Sequence, residues 1–183
     1  AAAGLEHANE KGFVHRDIKP ENLILTKGGA VKILDMGLTK DVTRQEDNLT
    51  AIVNPKLILG TIDYLSPEQA TQRPVDARSD LYSLGATLFT LVTGHSPYEG
   101  ASARQKLLNH QSGMVPVLTA YRSEVPAGMA AVVAKMMAKN PADRFQTAGE
   151  VIRALTPWAA EDQGSQDHLV VVPSDILRVP GAR

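Results

Sequence analysis

The sequence contains no cysteine, which excludes disulfide bridges and thiolate metal sites at once. Aromatic residues make up only 4% of it, and neither sign of charge is in excess: 19 Lys and Arg stand against 20 Asp and Glu, for a formal net charge of -1. A balanced chain exerts no bulk attraction on nucleic acid or an anionic membrane surface, so any partner must be met locally. Long apolar runs are missing too. The longest stretch without Asp, Glu, Lys or Arg is 81–98, and it contains Gly85, Gly94, His95 and Pro97. That is too polar for a membrane span and fits a helix buried on most of its circumference. The opening AAAGLEHANE has neither the basic nor the apolar region of a secretory signal; the expected location of this segment is cytoplasmic, with membrane anchoring of the parent protein outside it left open. What remains is an ordinary globular composition, 43% hydrophobic and 21% charged over 183 residues. A chain of that length buries on the order of 70% of its unfolded surface and needs no staples.

Residues 1–9 read as the end of a helix, with Leu5 and Ala8 as its apolar stripe and Gly12 as its stop. Two short β-type runs, 23–26 and 31–34, are joined by Lys27, Gly28, Gly29 and Ala30, a hairpin signal. Residues 35–68 show no sustained period and are expected to form a long functional loop. Beyond it the pattern is helical. Asp80 is expected to cap an apolar helix that runs to Val92 and stops at Gly94. A second helix is expected over 101–110, a third from Pro126 to Asn140, and a fourth opened by a Thr147/Glu150 capping box and closed near Leu155. His7, His95, His110 and His168 have no metal-ligand spacing and are expected on the surface. No internal repeats occur, and 158–183 is expected to be a tail or linker.

The run with chemical content is His15-Arg16-Asp17-Ile18-Lys19-Pro20-Glu21-Asn22, followed thirteen residues after Asn22 by Asp35-Met36-Gly37. Asp17 and Lys19 share one short loop, where a carboxylate can orient a hydroxyl and a cation can reach a phosphoryl group. Asn22 and Asp35 offer hard oxygen donors suited to Mg²⁺, and the hairpin between them would bring them together. Alone, an Asp on a loop is a turn former, and Gly28-Gly29 lacks the spacing of a phosphate loop.

Taken together, these residues resemble the catalytic loop and metal-binding motif of eukaryotic-like (Hanks-type) serine/threonine protein kinases. Further pieces follow in the family's order: Gly60-Thr61, Ser66-Pro67-Glu68, Asp80 in DLYSLG and Arg144 in NPADRF. The wording of GTIDYLSPEQA and NPADRFQTAGEV is similar to the bacterial members. The resemblance implies a mainly α fold, a kinase C-terminal lobe with small β-hairpins over 1–157. The N-terminal lobe, with its glycine-rich loop and strand Lys, is absent from these residues and is expected from the parent chain.

Its other implications concern chemistry. ATP and Mg²⁺ would be the cofactors and a protein Ser/Thr hydroxyl the acceptor, with no part for nucleic acid and no membrane contact from this segment. Asp17 and Lys19 would be catalytic; Lys19, Glu21, Asn22, Ile24 and Asp35 would face the nucleotide, and Asn22 and Asp35 would hold the metal. Arg16 would pair with a phosphate on the long loop, at Thr50 or, next, Thr43. Thr61 would belong to substrate docking and, with Lys19, points in the family to Ser/Thr over Tyr acceptors. His15 and Asp80 would be structural, Met36 would fill the family's Phe position, and Glu68 would form a buried ion pair with Arg144. Two other readings stay open. One is a truncated kinase remnant used as a binding or scaffold module, against which stand the retained Asp17 and Asn22. The other is a small-molecule phosphotransferase, against which stand Lys19, Thr61 and the Ser66-Pro67-Glu68 close.

Overall fold

The computed structural model describes residues 1–27, 29–34, 40–41 and 62–159. Asp35, Met36, Thr43, Thr50, Thr61, His168 and everything beyond Ala159 lie outside them.

The order of elements begins with helix α1 (Ala2–Glu10), strand β1 (Phe13–Val14), a 3-10 turn over Pro20–Asn22, and strands β2 (Leu23–Leu25), β3 (Val31–Ile33) and β4 (Lys40–Asp41). After a 3-10 turn at Ile62–Tyr64 come α2 (Pro67–Ala70), α3 (Ala77–Thr93), α4 (Ala103–Ser112), α5 (Leu118–Tyr121), α6 (Ala127–Met136) and α7 (Ala148–Ala159). β2 and β3 form the antiparallel hairpin, with Leu23 opposite Ile33 and Leu25 opposite Val31. β1 pairs with β4, Val14 opposite Lys40.

Helix α3 organises the core. Apolar and small residues occur almost all round it, so it can be buried on nearly every side, and from Ser79 to Ala86 no residue is exposed. One side packs with Leu5, Ile18, Met136, Phe145, Ala148 and Val151 through Leu81 and Leu84. The other packs with Tyr64, Leu118, Val133 and Met137 through Tyr82, Ala86 and Phe89. The hydroxyls caught in this core are satisfied by the helix itself: Thr87 Oγ1 donates to Ser83 O at 2.7 Å and Thr90 Oγ1 to Ala86 O at 3.1 Å. Gly94 ends the helix in the left-handed region, φ 77°, where a side chain would be strained.

Four expectations change. Asp76, not Asp80, caps α3, its Oδ1 accepting from Arg78 N at 2.9 Å; Asp80 lies one turn in, and its two oxygens accept from the backbone N–H groups of His15 and Arg16. Helix α6 stops at Met136, because the carbonyls of Ala138 and Lys139 are turned to the Arg144 guanidinium. Helix α7 continues past Leu155, through Pro157, to Ala159. Trp158 anchors this last turn against α6, where a Cβ at Gly128 would lie 2.6 Å from its ring. The fourth concerns His110, which is fully buried while His7 and His95 are exposed. Its Nδ1 shares a hydrogen bond with the Tyr82 hydroxyl at 2.9 Å, and its ring stands edge-on to Tyr98.

Among the described residues no helix is long and apolar enough to cross a membrane.

Candidate active site

The turn after β1 holds His15, Arg16 and Asp17. Arg16 is one of two non-glycine residues with positive φ among the described residues, at 70°, a conformation that costs an L-residue about 1–2 kcal/mol and persists only where surrounding contacts impose it. The contacts are present. The buried carboxylate of Asp80 accepts from His15 N through Oδ2 and from Arg16 N through Oδ1, each at 2.8 Å. Burial pushes the Asp80 carboxyl up to about 6, against the opposing pull of those two N–H groups and the nearby His15 and Arg16 side chains. The Arg16 carbonyl accepts from Gln69 Nε2 at 2.8 Å. His15 is 1% exposed, and its Nε2 lies 3.1 Å from Leu34 O, so its ring is used in packing the turn onto the end of β3.

Asp17 follows with its carboxylate tied on two sides. Lys19 Nζ lies 2.8 Å from Asp17 Oδ2. Asn22 Nδ2 donates to the same oxygen at 3.0 Å and to the Asp17 carbonyl at 2.7 Å. The amide nitrogen of Asn22 is thus engaged, and its oxygen is the atom left to meet a cation. The 3-10 turn Pro20–Asn22 makes this possible by folding Asn22 back onto Asp17, with Pro20 pre-set for its first position. Leu34 N donates to Asn22 O at 2.8 Å, so the hairpin brings the residue preceding Asp35 against Asn22. Asp35 itself is outside the described residues, which contain no cluster of three or more Asp, Glu or His able to hold a metal. The donor chemistry of Asn22 fits Mg²⁺, which takes few protein oxygens and leaves the rest to water and phosphate. Glu21 and Ile24 are exposed beside it, Ile24 at 46%.

A shallow cleft beside this loop is lined by Arg16, Asp17, Ile18, Tyr64, Leu65, Gln69 and Ser83. Its far wall, α2, is locked from below. Arg144 grips Glu68 with both arms, at 2.7 and 2.8 Å. Its other hydrogen bonds go to the carbonyls of Arg78, Ala138 and Lys139, so the planar guanidinium is fully used. Burial alone would push the Glu68 carboxyl up, but the Arg144 guanidinium and the Ser79 hydroxyl outweigh it and hold it below the usual range.

Two features here were not foreseen. Gln69 touches the loop that presents Asp17, and the Ser66-x-x-Gln69 capping-box pattern was the signal that could have found it. Lys139 lies between Tyr82 and Tyr98, its Nζ 2.7 Å from Tyr98 Oη and 2.8 Å from Asn109 O. Burial and the Arg144 charge bring its ammonium down to about 8. No motif marks it.

A carboxylate, a lysine and an asparagine are thus gathered on one loop beside a hairpin, on a helical body. Residues 1–155 match the protein kinase domain family, and the chain belongs to that family. Over 155 residues it is 40% identical to a "probable serine/threonine-protein kinase" of Corynebacterium efficiens, an alignment that covers 82% of this chain and 23% of that protein. The serine/threonine-protein kinases PknB of Mycolicibacterium smegmatis and Mycobacterium tuberculosis are 38% identical over 152 residues, with 82% of this chain and 24% of theirs covered. The kinship is with bacterial kinases of the Hanks type, and the chain spans about a quarter of the length of these curated relatives.

Proposed function

We propose that the chain supplies the helical, catalytic lobe of a serine/threonine protein kinase that moves the γ-phosphoryl group of ATP to protein hydroxyls. One observation carries this reading: Asp17, Lys19 and Asn22 converge within 3.0 Å on a loop whose strained backbone is held from two sides. Such convergence is what positioning chemistry requires. Asp17 orients the acceptor hydroxyl and takes its proton as the new P–O bond forms and the bond between the γ-phosphorus and the β–γ bridging oxygen breaks, with ADP leaving. Lys19 holds the Asp17 carboxylate in place and brings positive charge to the transferring group. Asn22 and Asp35 are the residues that would hold Mg²⁺, which when bound neutralises phosphate charge; Glu21 and Ile24 border the nucleotide. Thr61 belongs to acceptor docking, Met36 stands at the family's Phe position, and Thr50, with Thr43 next, is the activating phosphosite. Arg16 Nε is buried and has no hydrogen-bond partner among the described residues, which supports Arg16 as the group that receives that phosphate. We place this segment in the cytoplasm, where ATP and protein acceptors are available.

The test is Asp17→Asn in the complete gene product. Protein phosphorylation should fall by at least about a hundredfold, with ATP binding retained because Asp17 acts on the hydroxyl. Near-normal turnover would overturn the assignment.

A further inference from the structure

Helix α2 does more than close the segment before it. Gln69, in its first turn, has its whole side-chain amide committed. Oε1 accepts from Ser66 N at 3.0 Å and lies 2.9 Å from Ser66 Oγ. Because the Ser66 N–H can only donate, the oxygen must face Ser66, and the NH₂ group faces the Arg16 carbonyl, to which it donates at 2.8 Å. Arg16 is the residue held at φ 70°, and its carbonyl belongs to the same planar peptide unit as the Asp17 nitrogen. Fixing that oxygen fixes the plane from which Asp17 is presented. Asp80 holds the preceding N–H groups, and Gln69 is the only described side chain that holds the carbonyl.

Resting on the kinase reading above, we propose that Gln69 is a positioning residue for Asp17. It acts through the Arg16–Asp17 peptide and makes the aim of the catalytic carboxylate depend on the seating of α2. With Gln69 engaged the plane is pinned; with α2 displaced, Arg16 can relax from its left-handed conformation and Asp17 turns with it. The end of the substrate-docking segment and the catalytic loop are thereby linked by one hydrogen bond.

Gln69→Glu separates this role from a merely structural one. Glu is a normal third residue of a capping box and still accepts from Ser66, but its carboxylate cannot donate to Arg16 O. In the complete gene product, assayed with MgATP and a protein acceptor, kcat should fall about tenfold or more with the KM for ATP unchanged and the melting temperature within a few degrees of wild type. Protonation of the introduced carboxylate restores a donor, so the ratio of variant to wild-type kcat should rise as the pH is lowered from 8 to 6. Gln69→Met, uncharged and of similar length, should show the loss of kcat without the pH recovery. An active wild type with an unaffected Gln69→Glu and Gln69→Met overturns this inference alone. Variants that both unfold at the assay temperature show a structural role and overturn it as well. A wild-type protein that transfers no phosphate overturns the functional reading, and this inference with it.

Discussion

Arg144 and Glu68 form the best-defined buried contact, with side chains 0% and 6% exposed. Removing one partner strands a desolvated charge, at a cost of about 3–5 kcal/mol, a large part of a typical domain's 5–15 kcal/mol. Arg144→Ala should therefore lower the melting temperature sharply, and Arg144→Lys should restore little, since an ammonium cannot reproduce the two-armed grip. His110 makes a second prediction. Burial first, then the Lys139 charge, brings its imidazole down to about 3. The unfolded chain takes up a proton near pH 6.5 that the folded one refuses, so its contribution to stability is complete above that pH and is lost as the pH falls towards 3. Asp80, raised to about 6, acts with the opposite sign between about pH 6 and 4, so wild type alone cannot isolate either group. Measured as a difference, the stability advantage of wild type over His110→Gln should shrink by up to about 1.4 kcal/mol per pH unit below 6.5.

Between elements, the close approach of α3 to α6 depends on Gly85. A Cβ there would stand 2.8 Å from Met136 Cβ and 3.1 Å from Met137 Cγ. Gly→Ala in a helix interior should gain about 1 kcal/mol by propensity, but overpacking a filled core costs about 1–3 kcal/mol, and the atom in the way lies next to backbone. Gly85→Ala is accordingly expected to be net destabilising in denaturant titrations, the reverse of its effect in an exposed helix. Helices α1 and α7 are joined by a different device: Glu6 on α1 accepts from Gly149 N at 2.7 Å, placing a carboxylate at the amino end of α7, where the helix dipole favours it.

Across the whole molecule, the side of the body nearest the site carries apolar surface. Leu25 is 70% exposed opposite Val31 at 42%, with Ile24, Leu34 and Phe13 nearby, each at 39% or more. In the kinase reading proposed above, a nucleotide needs the family's glycine-rich G-x-G-x-x-G loop, which these 183 residues do not include, and positioning supplies most of the rate in phosphoryl transfer. The segment expressed alone should show no measurable protein phosphorylation at millimolar MgATP and should self-associate through the hairpin. Asp17-dependent transfer by the isolated segment, in a radiolabelled phosphate assay, would refute this.

What could be read from the amino-acid order was local. The hairpin and the stop at Gly94 rest on turn chemistry and period within a few positions, which act before any long-range contact exists; the loop from His15 to Asn22 was legible by its residue spacing and the resemblance, while its backbone is held by Asp80 and Gln69. The Glu68–Arg144 pair was legible only through the resemblance, because its partners are 76 residues apart. The tertiary structure decided the rest. Asp80 looked like a helix cap by position, yet its carboxylate is claimed by backbone N–H groups 64 and 65 residues earlier, and Asp76 caps instead. His110 looked like a surface histidine on an amphipathic helix until packing enclosed it between Tyr82 and Tyr98. Gln69 was not read from the sequence: the Ser66-x-x-Gln69 pattern could mark a capping box, but its second bond, to Arg16, exists only because α2 folds against the turn after β1. Local propensities choose elements within a few residues; burial and hydrogen-bond satisfaction choose partners across the whole chain.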